Sequence, residues 1–561
     1  MPSYLRRGLT LLLASILGFA ALATPAPATA APAAEDGQQG RLVSVAWLQK
    51  HRADVVLLDA SVTPQHLAGH IPGAVSADLY RYGVREPTRA AMEQRIQSWG
   101  ISPGRKVVVY DQGGDIMAPR LFYDLYYHGA PATDLFILDG GLAKWRAEGG
   151  AVTKEPTPTP ANGAFRVGAV RDEMRVRLPE FMAASGDRDG HVLVEALGPE
   201  YHYGAQKFFD RAGHVPNAVL MPSEDFFNPD KTFKSPDEIK RMARYLGIQP
   251  TQVVHSHCGG GVAAAVPWFA LQFMAGHPQT KLYLESQREW LRDDRGLPFW
   301  TYSAPQIQRH SAWLAGWNAP MLRAFGVAQI NIVDVRAAGP YALGHVPFAL
   351  NIPADTFRSH LGQPEKLAAL LGPAGVNPAH EVVLMADRGI TPSTALAFLA
   401  FEHLGHQKVS VLMDSPDDWA LRGLELTKEP TAVGPPAVPK GMAVPAAIYT
   451  ANTAHTAQRR HAVLVTDPQA TNGEYPKVFV ASGKAAAARV PAGRMVALPY
   501  TELLNADGTP KAAADLWNRI TRAGVPRHAE VILFADDPAE AAVNYYLFRL
   551  MGWPDVKVWV N

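Results

Sequence analysis

An internal repeat constrains this chain more than any other feature of its sequence. A short apolar run ends in an acid and leads into a Gly-His-apolar-Pro turn. This happens at Val55 to Asp59 with Gly69-His70-Ile71-Pro72, and at Val192 to Glu195 with Gly213-His214-Val215-Pro216. It recurs at Ile332 to Asp334 with Gly344-His345-Val346-Pro347. A worn fourth copy reads Val463 to Asp467, with Val490-Pro491-Ala492-Gly493 in place of the turn. About forty residues after each turn come a second apolar run, a short loop and a helix-like stretch. These runs are Val107 to Tyr110 before Asp111, Val253 to His257 before Cys258, Val382 to Met385 before Asp387, and Val531 to Phe534 before Asp536. A third run with a Gly/Asp-rich corner closes each copy, as in Leu135 to Gly141 with Trp145, Lys281 to Glu285 with Trp290, and Val409 to Asp414 with Trp419; the fourth ends the chain at Val556 to Val560. Self-similarity of this kind means a repeated supersecondary unit.

Strands alternating with helices predict an α/β fold with a parallel sheet. Continuous Val/Ile/Leu runs suit strands buried on both faces. Between copies, Glu155 to Pro160, Tyr302 to Arg309 and Pro430 to Pro445 are rich in proline and read as semi-rigid linkers. Residues 1–30 open with Arg6 and Arg7, continue apolar from Leu9 to Leu22, and close on Ala28-Thr29-Ala30. That is the pattern of a secretory signal peptide, its apolar run too short to span a bilayer. The remaining chain divides into four copies of about 130 residues, a comfortable size for a small α/β domain. It is expected outside the cytoplasm, periplasmic or secreted, with no membrane span after cleavage.

Lys plus Arg number 53 against 52 for Asp plus Glu, so net charge gives no reason to expect nucleic-acid or anionic-membrane binding. The 561 residues contain a single cysteine, Cys258, which excludes an intramolecular disulfide and a zinc site built on several thiolates. No His-Glu-x-x-His, Walker loop or Gly-x-Gly-x-x-Gly in a strand–turn–helix context is present. Neither metal nor organic cofactor is expected.

The acid-ended strand, the Gly-His-Ile-Pro turn, the loop at a strand's end and the corner Leu138-Asp139-Gly140-Gly141-Leu142-Ala143-Lys144-Trp145 resemble the rhodanese (sulfurtransferase) domain. The first copy, with Tyr110-Asp111, is similar to the inactive half of tandem sulfurtransferases. The second, with Cys258-Gly259-Gly260-Gly261-Val262-Ala263, is similar to their active half. The resemblance implies tandem rhodanese-like domains, each a mostly parallel five-stranded sheet covered by helices on both faces. They are placed at residues 41–153 (domain 1, inactive), 173–304 (domain 2, active), 310–430 (domain 3, inactive) and 446–561 (domain 4, inactive and divergent).

Sulfur transfer needs a thiolate that attacks a sulfane sulfur and becomes a persulfide, which a thiophilic acceptor then discharges. A free cysteine, with a pKa near ~8.5, is mostly protonated at neutral pH. A loop at a strand's carboxyl end that opens into a helix supplies backbone N–H groups and a helix dipole to favour the anion. Cys258 is therefore the expected nucleophile, with Gly259, Gly260, Gly261, Val262 and Ala263 as its cradle. His257, adjacent in the strand, is a candidate cation beside the thiol; Lys207 and Arg211 are candidates to grip an anionic donor. Asp111, Asp387 and Asp536 are read at the thiol position of the other copies. A phosphatase loop needs arginine six residues after its cysteine, and here that residue is Ala264.

Thiosulfate-using members carry basic residues directly after the cysteine, and this loop has none. Its small neutral loop is closer to the mercaptopyruvate type, Cys-Gly-Ser-Gly-Val-Thr, but Gly260 and Ala263 replace both hydroxyls. The arginines that grip the substrate carboxylate after the acid-ended strand are also missing from Glu195 to His202. Thiosulfate or a related sulfane donor is favoured over mercaptopyruvate. The alternative is a sulfur-relay or docking protein in which Cys258 receives sulfur from a partner protein without turnover.

Overall fold

The computed structural model describes residues 38–83, 85, 87–434, 443–452, 462–470, 473–484 and 491–560. Residues 1–30, expected to be a signal peptide, residue Val490 and part of the Pro430 to Pro445 stretch lie outside them. Among the described residues no helix is long and apolar enough to cross a membrane.

Four sheets form along the chain. The first contains β1 (Gln38–Gln39), β2 (Leu42–Val43), β3 (Val55–Asp59), β4 (Val75–Ser76), β5 (Lys106–Tyr110) and β6 (Leu135–Leu138), in the order β1-β2-β6-β5-β3-β4. The second contains β7 (His191–Glu195), β8 (Ala218–Leu220), β9 (Val253–His257) and β10 (Thr280–Leu282), in the order β10-β9-β7-β8. The third contains β11 (Gln308–Arg309), β12 (Ile330–Asp334), β13 (Ala349–Asn351), β14 (Glu381–Met385) and β15 (Val409–Leu412), ordered β11-β15-β14-β12-β13. The fourth contains β16 (Leu464–Val465), β17 (Lys477–Ala481), β18 (Met495–Ala497), β19 (Glu530–Phe534) and β20 (Val556–Trp559), ordered β16-β20-β19-β17-β18. All ladders but β1–β2 are parallel.

The expected count of five strands holds in domains 3 and 4 and fails in the first two. In domain 1, Gly40 and Arg41 both take positive φ and turn the chain back as a two-residue hairpin, adding β1. In domain 2 the first strand shrinks to a bridge between Arg175 and Leu282, with two residues between Arg175 and the helix Leu178–Gly186. Two further expectations are corrected. Residues Tyr302 to Arg309 are not all linker, since Gln308 and Arg309 pair with β15 as an edge strand. The fourth copy's counterpart of the acid-ended strands is β17 rather than Val463 to Asp467. In register, Asp59 faces Tyr110, Glu195 faces His257 and Asp334 faces Met385, and the residue that faces Phe534 is Ala481. The acid that marked the other copies is absent there, which is why the pattern misplaced the strand.

The copies pack as two pairs. One apolar core runs from Leu58, Val107 and Val109 of domain 1 to Val192, Val194 and Val254 of domain 2. A second joins Val333 and Leu384 of domain 3 to Val480 and Leu533 of domain 4. At each shared core the helices that follow the central strands meet: Met117–Tyr127 against Ala265–Phe269, and Pro392–His403 against Pro538–Leu550. The pairs touch where Tyr203 stacks on Trp517 and donates to the Met551 carbonyl at 2.9 Å.

Within each pair the later domain inserts a hairpin into the earlier one. Phe227 to Phe233 and Leu504 to Pro510 share the pattern Asn-x-Asp-x-Thr, in which Thr232 donates to Asp230 and Thr509 to Asp507, both at 2.6 Å. Lys231 lies against Gly114, and Gly508 accepts from the Ile390 amide at 2.9 Å. Gly389, at φ +75, has no room for a Cβ because the Gly508 backbone occupies it. Gly423, at φ +77, faces open space. Gly389→Ala should therefore lower the thermal unfolding midpoint clearly more than Gly423→Ala, which adds backbone strain alone. Equal shifts would show that the hairpin does not seat there.

Candidate active site

β9 ends at His257, and Cys258 is the next residue, 2% exposed, at the carboxyl edge of the sheet. The chain then curls through Gly259, Gly260 and Gly261 before entering the helix Ala265–Phe269. The Gly261 amide donates to the Cys258 sulfur at 3.1 Å, and the Cys258 amide donates to Ser286 Oγ at 3.0 Å. The Gln287 and Arg288 amides donate to the carbonyls of Cys258 and Gly259, at 3.0 and 2.8 Å. Beneath the loop, Ser256 Oγ donates to the Ala264 carbonyl at 2.7 Å.

The three glycines have different reasons to be there. Gly261 has φ +83 and lies against the Leu284 backbone, so no other residue fits. A Cβ on Gly259 would come within 2.8 Å of the Phe208 ring, which is 48% exposed and free to give way. A Cβ on Gly260 would meet nothing within 4 Å. Val262 and Ala263 are buried in the shared core of domains 1 and 2.

Ser286 and Phe208 escaped the sequence reading. Ser286 occupies the corner position where domain 1 has Gly141, four residues before the closing tryptophan, and keeps the left-handed backbone at φ +54. A non-glycine there costs about 1–2 kcal/mol. Its buried hydroxyl, donating to the Tyr283 carbonyl at 2.6 Å while accepting from Cys258, accounts for that cost. The signal for it was a serine where domain 1 has glycine, a position at which domain 3 also has serine, Ser415. Phe208 carried no motif at all.

The structure separates the other candidates. His257 is fully buried against Phe181, on the sheet face opposite Ser256, and burial, only partly offset by Glu195, pushes its pKa down to about 4. It is neutral at physiological pH, so the expected cation beside the thiol is not there. Arg211 donates to the carbonyls of Trp290, Leu291, Arg292 and Leu297 and braces that loop instead of facing an open site. Lys207 is exposed, next to Phe208.

Glu195, His202 and His214 form a buried cluster: His202 Nδ1 lies 2.6 Å from a Glu195 oxygen, and the imidazoles stack at 3.6 Å. Stacked rings hold their in-plane lone pairs parallel, which does not suit two ligands of one metal ion. Asp59, His66 and His70 repeat the arrangement in domain 1, with a 2.8 Å contact and rings 3.9 Å apart. In domain 3, Tyr341 stacks on His345 at 3.7 Å. The cluster is thus a brace for the Gly-His turn; Gln287, which also donates to Glu195, ties it to the Cys258 loop. A cavity of about 700 Å³ lined by Tyr203, Ser303, Arg309, Arg527 and Arg549 lies between the pairs, and no residue of the Cys258 loop lines it.

Strand register also corrects the other copies. The residue after Tyr110 is Asp111, level with Cys258, but the residues after Met385 and Phe534 are Ala386 and Ala535. Asp387 and Asp536 lie one position further on and are exposed. Asp111 is buried, accepts from the Gly113 and Ala118 amides at 2.9 and 2.8 Å, and is raised to about 7 by burial and by Asp115.

Parallel α/β domains fused in pairs, with a cysteine loop at the carboxyl end of a central strand, define a nucleophile-loop fold. Comparison with known proteins narrows it. The Rhodanese-like domain family matches residues 44–148 and 319–422, within the first and third copies. A probable 3-mercaptopyruvate sulfurtransferase of Pseudomonas aeruginosa is 32% identical over 240 residues, 40% of this chain and 82% of that protein. A sulfur carrier protein, TtuD, of Thermus thermophilus is 29% identical over 275 residues, 44% of this chain and 93% of that one. A thiosulfate sulfurtransferase of Bos taurus is 29% identical over 277 residues, 44% and 91%. The chain belongs to the rhodanese-like sulfurtransferase family.

Two outcomes are expected. Gly260→Ala should leave the alkylation rate of Cys258 near that of the parent, Gly259→Ala should change it modestly, and Gly261→Ala should abolish the well-formed loop; intact mass after iodoacetamide reads all three. Burial also holds His255 at about 3, with His191 adding to it. Both His255 and His257 are bare in the folded chain where the unfolded chain, with pKa near ~6.5, takes up protons. Their contribution to stability is therefore lost as pH falls from about 6.5 toward about 4. His257→Leu should move the acid-unfolding midpoint to lower pH; an unchanged midpoint would contradict the buried neutral imidazole.

Proposed function

We propose that this chain moves a sulfane sulfur from a small donor to a thiophilic acceptor through a persulfide on Cys258. The observation that carries the reading is the sole thiol of the chain, level with Asp111, Ala386 and Ala535 in the other copies and met by a backbone N–H at 3.1 Å. With thiosulfate, the Cys258 thiolate attacks the outer sulfur, the sulfur–sulfur bond of the donor breaks, and sulfite leaves with the electron pair. The acceptor then attacks the outer sulfur of the persulfide, and the thiolate leaves restored. Backbone N–H groups favour the anion at both stages.

Thiosulfate or a related sulfane donor is favoured over mercaptopyruvate, because Gly260 and Ala263 offer no hydroxyl to relay a proton and Glu195 to His202 offer no arginine for a carboxylate. Domains 1, 3 and 4 serve as covers and docking surfaces. Residues 1–30 direct export and are removed, so that the exported protein begins near Ala31. A second reading, a sulfur carrier loaded by a partner protein, is supported by a relative named as a sulfur carrier protein.

Incubation with thiosulfate and then cyanide separates the two. Thiocyanate production that disappears in Cys258→Ser supports the enzyme. A stable one-sulfur mass gain without turnover supports the carrier. If no donor among thiosulfate, mercaptopyruvate and polysulfide loads Cys258, the enzyme reading fails; if a persulfide-bearing protein does not load it either, the carrier reading fails as well.

A further inference from the structure

Domain 1 carries an aspartate where domain 2 carries its thiol, yet it reaches the loop around that thiol. Arg120, on the helix Met117–Tyr127, is fully buried, and its Nη1 donates to the Gly261 carbonyl at 3.2 Å. Gly261 is the residue whose amide meets the Cys258 sulfur. The guanidinium is itself aimed: Nε donates to Asp124 Oδ1 at 3.1 Å, and the Tyr82 hydroxyl donates to Asp124 Oδ2 at 2.7 Å. Around them the helix interface is aromatic, with Phe122 and Tyr123 against Trp268 and Phe269.

A charge pair in such a place is weak evidence of stability, because desolvation offsets most of its attraction. What this pair does hold is a carbonyl on a residue with no side chain and φ +83. Such a residue can rotate its peptide planes at low cost. Rotation about Gly261 would carry its N–H off the sulfur, and the tether from Arg120 opposes it.

We propose that Arg120 is a positioning residue for Cys258: from the copy without a nucleophile, it fixes the Gly261 carbonyl and thereby keeps the neighbouring N–H on the sulfur. The inference rests on the reading of Cys258 as the sulfur-carrying nucleophile, but its test does not require turnover. Arg120→Met alone strands Asp124 in the interface and invites unfolding. The variant to use is Tyr82→Phe/Arg120→Met/Asp124→Leu, which replaces these three side chains together by apolar groups of similar shape. The readouts are thermal unfolding and the pH profile of Cys258 alkylation by iodoacetamide, unambiguous in a protein with one cysteine. With folding retained, the alkylation profile should move to more alkaline pH and the rate at pH 7 should fall at least fivefold. Arg120→Lys, which keeps one donor and the charge, should recover part of it. A profile that stays in place or moves to lower pH in the folded triple variant overturns the proposal. Loading with thiosulfate, run in parallel on the parent, tests the function separately: a parent that alkylates normally but takes up no sulfur defeats that reading and leaves the positioning result standing.

Discussion

The seam between the two helices that follow the central strands carries the rest of each pair. In domains 1 and 2 it is aromatic: Phe122 meets Phe269 edge-on at 5.0 Å and Tyr123 meets Trp268 at 4.9 Å. In domains 3 and 4, Phe398 meets Tyr546 at 5.1 Å. Each buried ring contributes roughly 1.5–3 kcal/mol that neither domain could gain alone. Because the seam lies directly behind the loops, pairing also decides how those loops are held. Helix Met117–Tyr127 is buried along nearly its whole length, so domain 1 has no finished surface without its neighbour.

Much of this was legible in the sequence, for a definite reason. A strand buried on both faces is apolar along most of its length, so β3, β5 and β14 announced themselves and the α/β order followed. Cys258 stood out because only one of four repeated loops had a thiol. What failed was whatever the pattern encoded through a single residue. β17 lost its acid and was displaced to β16's neighbourhood. Asp387 and Asp536 looked level with the thiol because an aspartate was sought; hydrogen-bond register, which is not written in composition, puts alanine there. The pairing of copies and the reach of Arg120 depend on contacts between residues more than 140 positions apart, which no local period reports.

The buried histidines show how position overrides residue type. An imidazole one residue from a thiol invites an electrostatic role, but a strand alternates its side chains. His257 therefore looks away from Ser256, into an apolar layer with Phe181, where it cannot hold a proton. His70, His214 and His345 serve the turn that all three copies share, whatever stands at the head of their loops. The guanidinium that reaches the Cys258 loop comes instead from another domain, through the Gly261 carbonyl.

The inserted hairpins set an order of events during synthesis. Lys231 follows Gly114 by about 120 residues, and Gly508 follows Gly389 by about the same. A ribosome delivers the chain from its N-terminus, so each earlier domain must wait, its loop uncovered, until the next has nearly emerged. Completion therefore proceeds in two strides, each sealing one pair. A chain interrupted between them would hold one finished unit and one open socket. Duplication of a whole pair preserves that timing, whereas gain or loss of a single copy would leave a socket with nothing to fill it.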